Sequence, residues 1–285
     1  MNKPLISVII PAHNSESTIG VAIDSMLTQT YPNLEIIVVD DNSTDNTEKV
    51  VREYETQNKK IQYYKLPYDD PNRVNKRGRN VNAGYLARNY GFEKAHGEWI
   101  TFQDADDASL VNRIEAQYNL AIEYGASHVC IQWQQFKEEL LGKRLDIGKI
   151  FQEEGNMVIT NKEIIALAKK TKGVIIPFLG KLNSLIPFEW KRMRVINKFF
   201  FRSLDSYPGS GNSPLFKKEI VEKVRFRPVN ERVWPSFTGR GADRDFNFQV
   251  AETFGNNISF KLPLYLWRVG QENNLGYNFK KYLIK

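Results

Sequence analysis

The chain has 285 residues, of which 41% are hydrophobic and 12% aromatic, which suffices for a packed core and excludes a globally disordered chain. Its net charge of +7, from 40 basic and 33 acidic residues, is compatible with phosphate ligands, an anionic membrane surface or nucleic acid and selects none of them. The single cysteine, Cys130, excludes an intrachain disulfide, and no apolar run approaches the roughly 18 residues needed to span a bilayer.

Apolar runs and amphipathic stretches alternate over residues 1–135. Buried strands are predicted at five runs that lack polar alternation: Leu5–Ile10, Leu34–Val39, Ile61–Leu66, Trp99–Phe102 and Ser127–Gln132. Helices are predicted between them, at 18–29, 45–57, 81–95 and 110–124. Because such strands alternate with helices, we predict an α/β fold with a Rossmann-like, mostly parallel sheet that is covered on both faces.

Polar residues follow three of these strands at the point where each strand ends. The first ends in Pro11-Ala-His-Asn14, the second in Asp40-Asp-Asn-Ser43, and the fourth in Asp104, Asp106 and Asp107. Because the carboxyl ends of parallel strands share one edge of a sheet, these side chains are expected to line one crevice. Clustered carboxylates are tolerated when a divalent cation or a cationic ligand lies between them. An Asp-x-Asp pair at a strand end suits Mg²⁺ or Mn²⁺, and we predict a site for one of these ions here. An acidic turn after a strand is also common in proteins that bind no ion there.

Five segments have the order and spacing of a known family: Ser7-Val-Ile-Ile-Pro-Ala-His-Asn14, Leu27-Thr-Gln-Thr-Tyr-Pro32, Leu34-Glu-Ile-Ile-Val-Val-Asp-Asp-Asn-Ser43, Ala87-Arg-Asn89 and Ala95-His-Gly-Glu-Trp-Ile-Thr-Phe-Gln-Asp-Ala-Asp-Asp107. Together they resemble the family 2 glycosyltransferases of the GT-A fold. Later in the chain, Gly211-Asn-Ser-Pro-Leu-Phe-Lys-Lys218 resembles the family's segment that returns to the donor-sugar pocket. Gly239-Arg-Gly-Ala-Asp-Arg-Asp-Phe246 resembles its acceptor-side Gly-Glu-Asp-x-Asp motif.

The resemblance implies a reaction and a base. The reaction is transfer of a sugar, with inversion, from a nucleotide sugar to an acceptor hydroxyl, assisted by Mn²⁺ or Mg²⁺, and a UDP-sugar is the favoured donor. Asp243 would take the proton of the acceptor hydroxyl, with Ala242 and Asp245 beside it on the acceptor side.

The resemblance also implies a donor site. Asp41 would accept a hydrogen bond from a uracil ring, and Asp104 would face the ribose. Asp106 would hold the metal, with Asp104 and Asp107 as the other candidate ligands. The full set of expected donor contacts is Pro11, Ala12, His13, Asn14, Asp41, Arg79, Arg88, Asp104, Ala105, Asp106 and Asn212.

Two of these contacts are arginines chosen from their place in the chain. A basic stretch from Tyr64 to Asn80 follows the third strand on the presumed ligand edge. We select Arg79, with Arg77 as the alternative, as the cation that approaches the nucleotide, although a solvated loop also explains most of these charges. Arg88 lies on a predicted helix, where pairing with an acid of the sheet edge is its alternative role.

Two positions depart from the family pattern. Ala242 replaces the usual Glu before the expected base, and Gly270 stands where many relatives carry a His that helps to hold metal or diphosphate. Arg268 could supply positive charge in its place. Asp243 lies at the start of a helix predicted over 242–254, so stabilising that helix N-terminus is an alternative role for it. These departures keep open the interpretation of a catalytically silent nucleotide-sugar-binding or membrane-adaptor relative.

The chain is expected to divide by role within one continuous globular unit. Residues 1–135 would bind the nucleotide sugar, and residues 136–285 would bind the acceptor and carry the base, with 136–205 as the least family-like part. Basic residues interleave with aromatic ones at 181–202, which suits contact with an anionic membrane surface; a cover for the core and the acceptor cleft is the alternative.

These features also bear on partners and location. Membrane contact would fit a lipid-linked saccharide acceptor, as in surface-polysaccharide assembly. Because the first strand begins within a few residues of the N-terminus, no signal peptide is expected. We therefore expect a cytoplasmic protein, peripheral at the inner face of the cytoplasmic membrane. No recognised nucleic-acid module accompanies the basic residues, so no nucleic-acid partner is expected.

Overall fold

The computed structural model describes residues 3–70, 73–74, 82–171, 213–229, 231–232, 241–268 and 275–284. The strands within these ranges, β1 to β11 in chain order, are Ile6–Ala12, Leu34–Asp40, Ile61–Lys65, Trp99–Phe102, Ala108–Ser109, His128–Gln135, Arg144–Leu145, Val158–Ile159, Leu215–Lys217, Asn257–Trp267 and Leu283–Ile284. The helices, α1 to α7, are Ile19–Leu27, Thr47–Gln57, Tyr85–Lys94, Arg113–Glu123, Ile147–Glu153, Asn161–Thr171 and Ala242–Phe254.

Nine of the described strands form one mixed, mostly parallel sheet in the order β3-β2-β1-β4-β9-β6-β10-β5, and β8 also pairs with β10. Strands β1 to β4 are parallel neighbours, with Ile6 of β1 opposite both Leu34 of β2 and Trp99 of β4. Strands β6 and β10 are parallel to each other as well. The carboxyl ends of β1, β2 and β4 therefore meet at one edge of the sheet, as the strand-end motifs predict.

The apolar residues of the strands alternate between two cores, one on each face of the sheet. Helices α1, α2 and α4 cover one face, where Ile23, Val51 and Ile114 pack against the sheet. Helices α3 and α7 cover the other, where Phe92 and Phe246 lie in a cluster of phenylalanine rings. The predicted α/β fold with a sheet covered on both faces is confirmed, and its four early helices begin and end within a few residues of the predicted bounds.

The centre of the sheet differs from the sequence expectation. Strand β9 lies between β4 and β6 and is antiparallel to both, with Phe216 opposite Ile100 and His128. The three residues of β9 have no local pattern that marks them as a central strand, and both neighbouring strands lie far earlier in the sequence. The sheet begun by residues 1–135 is therefore completed by a strand from the second half of the chain.

Two further expectations concern the membrane and the cysteine. No helix among the described residues combines the length and the apolar character that crossing a membrane requires. The basic and aromatic segment 181–202 lies outside the described residues. Cys130 is buried in β6, as its apolar surroundings predict, and burial raises the pKa of its thiol.

Candidate functional site

Three carboxylates follow β4 at the carboxyl edge of the sheet. Asp104 is half-buried, Asp106 is exposed and Asp107 is buried. Each offers an oxygen atom, and these oxygen atoms all lie within 4.8 Å of one another. Carboxylate oxygens are the hard ligands that Mg²⁺ and Mn²⁺ prefer. This donor set fits the divalent ion that the sequence predicts for these three residues.

Arg88 pairs with the first of the three carboxylates. Its Nη2 donates to Oδ1 of Asp104 and its Nη1 donates to the carbonyl of Ala83. The guanidinium carbon lies 5.6 Å from the ring centroid of Phe102 and 5.5 Å from that of Phe226, so the ion pair rests on an aromatic layer. The alternative role foreseen for Arg88, pairing with an acid of the sheet edge, is thus present, and donor contact by Arg88 stays a prediction.

The end of β10 holds the acidic turn in place. The hydroxyl of Tyr265 donates to Oδ2 of Asp107 over 3.0 Å and accepts from the backbone N–H of Asp104 over 3.1 Å. The backbone N–H of Arg268 donates to Oδ1 of Asp107 over 2.8 Å, and its Nε donates to the carbonyl of Asp106 over 2.7 Å. Arg268 thereby brings a positive charge to the edge of the acidic cluster.

Burial and repulsion from neighbouring acids raise the pKa of both Asp104 and Asp107. Burial raises the pKa of Asp104 to about 6, with Asp106 and Asp243 adding to the shift and Arg88 opposing it. Burial raises the pKa of Asp107 to about 8, with Asp104 and Asp106 adding to the shift. An Asp in an unfolded chain has a pKa of about 3.9. Because the folded chain binds more protons than the unfolded chain above about pH 4, these two groups make the metal-free protein less stable as the pH rises toward about 8.

A divalent ion must displace those protons, so its affinity should rise with pH. We expect the affinity for Mn²⁺ to be higher at pH 8 than at pH 6 by a factor of about 10 or more, because metal ligands must be deprotonated. Calorimetric titration of the intact chain at pH 6, 7 and 8 measures this directly. In Asp107→Asn, the affinity for Mn²⁺ should change less between pH 7 and pH 8 than it does in the unaltered protein. Equal affinity of the unaltered protein at all three pH values would contradict the assignment of these ligands.

Two consecutive aspartates, Asp40 at the end of β2 and Asp41 directly after it, have different surroundings. Asp40 is buried, and its Oδ1 accepts from the backbone N–H of Ser43 over 2.8 Å while its Oδ2 accepts from the hydroxyl of Tyr63 over 2.7 Å. These bonds close the turn after β2. Asp41 is the residue expected to accept a hydrogen bond from the nucleobase.

Asp41 is held by two side chains from the loop after β3. Its Oδ1 accepts from Nη2 of Arg73 over 2.6 Å, and its Oδ2 accepts from Nδ2 of Asn82 over 3.1 Å. The ring Nδ1 of His13 lies 2.7 Å from the carbonyl oxygen of Asp41 and 3.4 Å from Nη1 of Arg73. The described arginine of the basic loop that reaches Asp41 is thus Arg73, whereas the chosen Arg79 and its alternative Arg77 lie outside the described residues.

The other residues expected at the donor site occupy the ends of β1 and β4. Pro11 and Ala12 are the last two residues of β1, and Ala105 is buried in the acidic turn. Asn14 adopts a left-handed backbone with φ of 48°, its N–H donates to Oγ of Ser43 over 2.9 Å, and its Oδ1 accepts from the N–H of Thr44 over 2.8 Å. Asn14 therefore joins the loops after β1 and β2, a contact that shapes the crevice.

The expected base lies in the first turn of α7. Gly241 precedes the helix with φ of 87°, a backbone that favours glycine, and Asp243 is half-buried. The charge of Asp243 contributes to the raised pKa of Asp104. The start of α7 therefore lies within electrostatic reach of the acidic turn. Ala242 is buried, and its methyl group packs in the apolar core of this face rather than at a surface.

Asp245 is buried as well. Its carboxylate receives two hydrogen bonds from Arg227, from Nη2 over 2.7 Å and from Nε over 2.9 Å. These contacts give Asp245 a structural role in anchoring α7, and its place on the acceptor side stays a prediction.

The sequence predicts the acids of the site and offers Arg88 as a partner for one of them, but it does not predict the contacts that Arg73 and Tyr265 make. Arg73 is one of several basic residues in its loop, and nothing in the sequence distinguishes it from its neighbours. Tyr265 lies in an apolar strand, 158 positions along the chain from the Asp107 that it contacts. Asn212 and Gly270 lie outside the described residues.

The chain is similar in sequence to known proteins. The model of a family described as glycosyl transferase family 2 matches residues 7–179. An uncharacterized glycosyltransferase of Haemophilus influenzae is 32% identical over 182 residues, which cover 59% of this chain and 67% of that protein. The Escherichia coli protein named UDP-Glc:alpha-D-GlcNAc-diphosphoundecaprenol beta-1,3-glucosyltransferase WfgD is 35% identical over 127 residues, or 45% of each chain. The chain thus spans less than half the length of the second relative.

Solved structures share the fold at low sequence identity. Staphylococcus aureus TarS 1–349 in complex with UDP-GlcNAc aligns with a TM-score of 0.53 and 16% identity over 96% of this chain and 61% of that chain. The mannosyltransferase PcManGT of Pyrobaculum calidifontis, in complex with GDP-Man and Mn²⁺, aligns with a TM-score of 0.53 and 17% identity over 95% of this chain and 58% of that chain. At these identities, the alignments show a common fold.

Proposed function

This chain belongs to glycosyl transferase family 2, and on that premise we propose that it is an inverting, metal-dependent glycosyltransferase that uses a UDP-sugar. The acceptor is a hydroxyl of a saccharide or a lipid-linked saccharide, in the assembly of a surface polysaccharide. The proposal is supported by the acids at the carboxyl edge of the sheet, which are Asp41 after β2 and the Asp104–Asp107 turn after β4, and by Asp243 in the first turn of α7, whose charge contributes to the raised pKa of Asp104.

Each group has a part in the reaction. Asp41, fixed by Arg73 and Asn82, accepts a hydrogen bond from the nucleobase. Asp104, Asp106 and Asp107 would hold a divalent ion, which would supply positive charge against the departing diphosphate. Arg268, bonded to the carbonyl of Asp106, adds positive charge on the same side.

Asp243 removes the proton from the acceptor hydroxyl. As the acceptor oxygen forms its bond to the anomeric carbon, the bond from that carbon to the diphosphate oxygen breaks, and its electron pair leaves with the nucleoside diphosphate. The proton passes to the carboxylate of Asp243. Because the acceptor attacks in a single displacement on the face opposite the leaving group, the configuration at the anomeric carbon inverts.

A saccharide acceptor is supported by aromatic side chains next to the acidic turn. Trp133 of β6 and Trp267 of β10 are half-buried at the carboxyl ends of their strands, with ring centroids 4.7 Å apart at an angle of 80°. Arg268 stacks its guanidinium on Phe136, 4.2 Å from the ring centroid. Aromatic faces with polar groups beside them suit the apolar faces and hydroxyls of a sugar ring.

The lipid-linked form of the acceptor and the membrane location are finer parts of the proposal. They are supported by the name of the Escherichia coli relative, which specifies a diphosphoundecaprenol substrate, and by the basic and aromatic composition of 181–202. Such a composition favours peripheral contact with anionic lipid at the inner face of the cytoplasmic membrane.

Nucleotide-dependent thermal stabilisation tests the donor site. The melting temperature of the chain is measured with UDP, GDP, CMP and TMP, each with and without Mn²⁺, because a ligand of the folded state raises it by mass action. We expect a Mn²⁺-dependent rise that is largest with UDP and is lost in Asp106→Ala. A rise selective for GDP would change the donor assignment. No rise with any nucleotide would favour a catalytically silent relative.

A further inference from the structure

A continuous set of hydrogen bonds runs from the expected nucleobase site to the helix that carries the expected base. Its centre is Arg232, whose side chain is buried between two loops. Nη2 of Arg232 donates to the carbonyl of Asn82 over 2.8 Å, and its Nε donates to the carbonyl of Arg227 over 3.0 Å. One guanidinium thereby ties the loop before α3 to the segment after β9.

Each of the two loops is fixed in turn to one side of the site. On the donor side, Nδ2 of Asn82 donates to Oδ2 of Asp41 over 3.1 Å, and its Oδ1 accepts from the N–H of Gly84 over 2.9 Å. On the other side, Arg227 donates two hydrogen bonds to Asp245. Asp245 lies two residues after Asp243 in α7, so the contact with Arg227 anchors the part of the helix that carries Asp243.

The surroundings of Arg232 argue against a merely space-filling role. Its guanidinium carbon lies 5.8 Å from the ring centroid of Tyr85, and its Nη1 has no hydrogen-bond partner among the described residues. Burial lowers the pKa of Arg232, while the charges of Asp245 and Asp243 oppose that shift. A buried cation with an unused donor costs stability, and a neutral residue could fill the space at lower cost.

We propose that Arg232 is a positioning residue that couples nucleotide binding at Asp41 to the placement of Asp243 at the start of α7. The inference rests on the proposed function for the roles of Asp41 and Asp243. When a nucleobase bonds to Asp41, Asn82 and its loop are held, and Arg232 passes that restraint through Arg227 to α7. By linkage, groups bound at the acceptor side tighten nucleotide binding by the same factor.

Hydrogen exchange of the α7 backbone tests this coupling with and without UDP plus Mn²⁺. In the unaltered protein, UDP should slow exchange across 242–254 by about 5-fold or more. In Arg232→Lys, a single ammonium keeps the charge but cannot span two carbonyls as the guanidinium fork does. UDP should then still raise the melting temperature, and exchange in α7 should no longer respond to it. Arg225→Lys, at an exposed position in the same segment, is the matched control and should behave as the unaltered protein.

Kinetics provides a second readout. The turnover number of Arg232→Lys should fall on the order of 10²-fold, with the KM for the donor changed much less, because a displaced base affects the chemical step. UDP-dependent protection of α7 that persists in Arg232→Lys would overturn the inference.

A nucleotide-free arm separates this inference from the donor assignment. If no nucleotide raises the melting temperature of the unaltered protein, the proposed donor is wrong. The coupling is then tested by hydrogen exchange of α7 in the nucleotide-free protein. Asn82→Ala and Arg232→Lys should each speed exchange in α7, and the double variant should be no faster than the more affected single one. Effects that multiply in the double variant would show two independent contacts and overturn the coupling.

Discussion

Replacing Asp243 by Asn is expected to lower the rate of sugar transfer by about 10²- to 10⁴-fold, the range that a general base contributes. Asn has the size of Asp and cannot accept the proton of the acceptor hydroxyl. Its position in the first turn of α7 means that the lost negative charge also removes a favourable interaction with the helix N-terminus, of about 0.3–1 kcal/mol. That loss is small beside the expected effect on the rate.

The measurement is the initial rate of transfer from a UDP-sugar, together with the melting-temperature rise caused by UDP and Mn²⁺. The rate should fall while the rise with UDP is retained, because Asp243 does not hold the nucleotide. Glu252→Gln, an exposed carboxylate of the same helix, serves as the matched control. Near-normal transfer by Asp243→Asn would remove Asp243 from the role of base and favour its alternative role at the helix N-terminus.

Replacing Arg88 by Met should cost about 3–5 kcal/mol of unfolding free energy, the usual result of removing one partner of a buried ion pair. The side chains of Arg88 and Asp104 are only 5% and 21% exposed, so water cannot replace the lost cation fully. The carboxylate of Asp104 would then face Asp106 and Asp107 without the cation that bonds to it directly. Met keeps most of the aliphatic volume that lies against Phe102 and Phe226.

Denaturant unfolding of the metal-free protein measures the loss, and a second substitution shows its origin. Adding Asp104→Asn to Arg88→Met should recover most of the stability, because the unpaired charge is gone. Arg52→Met is the surface comparison, since the pairs of Arg52 with Glu48 and Glu55 are exposed and worth about 0–1 kcal/mol. An equal loss in Arg88→Met and in the double variant would mean that packing, rather than charge, sets the cost.

The local elements of this fold can largely be predicted from the sequence. The apolar runs that become β1, β2 and β4 lack polar alternation because both faces of the sheet are covered. The helix predicted over 242–254 has the predicted bounds. By contrast, β9 is short and gains its place from pairing with β4 and β6, which no local pattern encodes.

The same distinction applies to the site. The acids could be placed together because parallel strands share a carboxyl edge, a rule that needs only the strand order. The residues that hold them come from far along the chain: Tyr265 contacts Asp107 across 158 positions, and Arg232 contacts Asn82 across 150. Such contacts depend on how loops pack, and they leave no periodicity in the sequence.

The central position of β9 has a consequence for how the chain acquires its structure during synthesis. Within the described part of the chain, β4 and β6 are joined in the sheet through Leu215–Lys217, which pairs with each of them. When only residues 1–135 have emerged from the ribosome, β4 is an open edge strand that can pair with other chains. Long-range pairing of this kind slows folding. Fragments that stop before Lys217 should therefore be prone to aggregation, and residues 1–135 are poorly suited to expression alone.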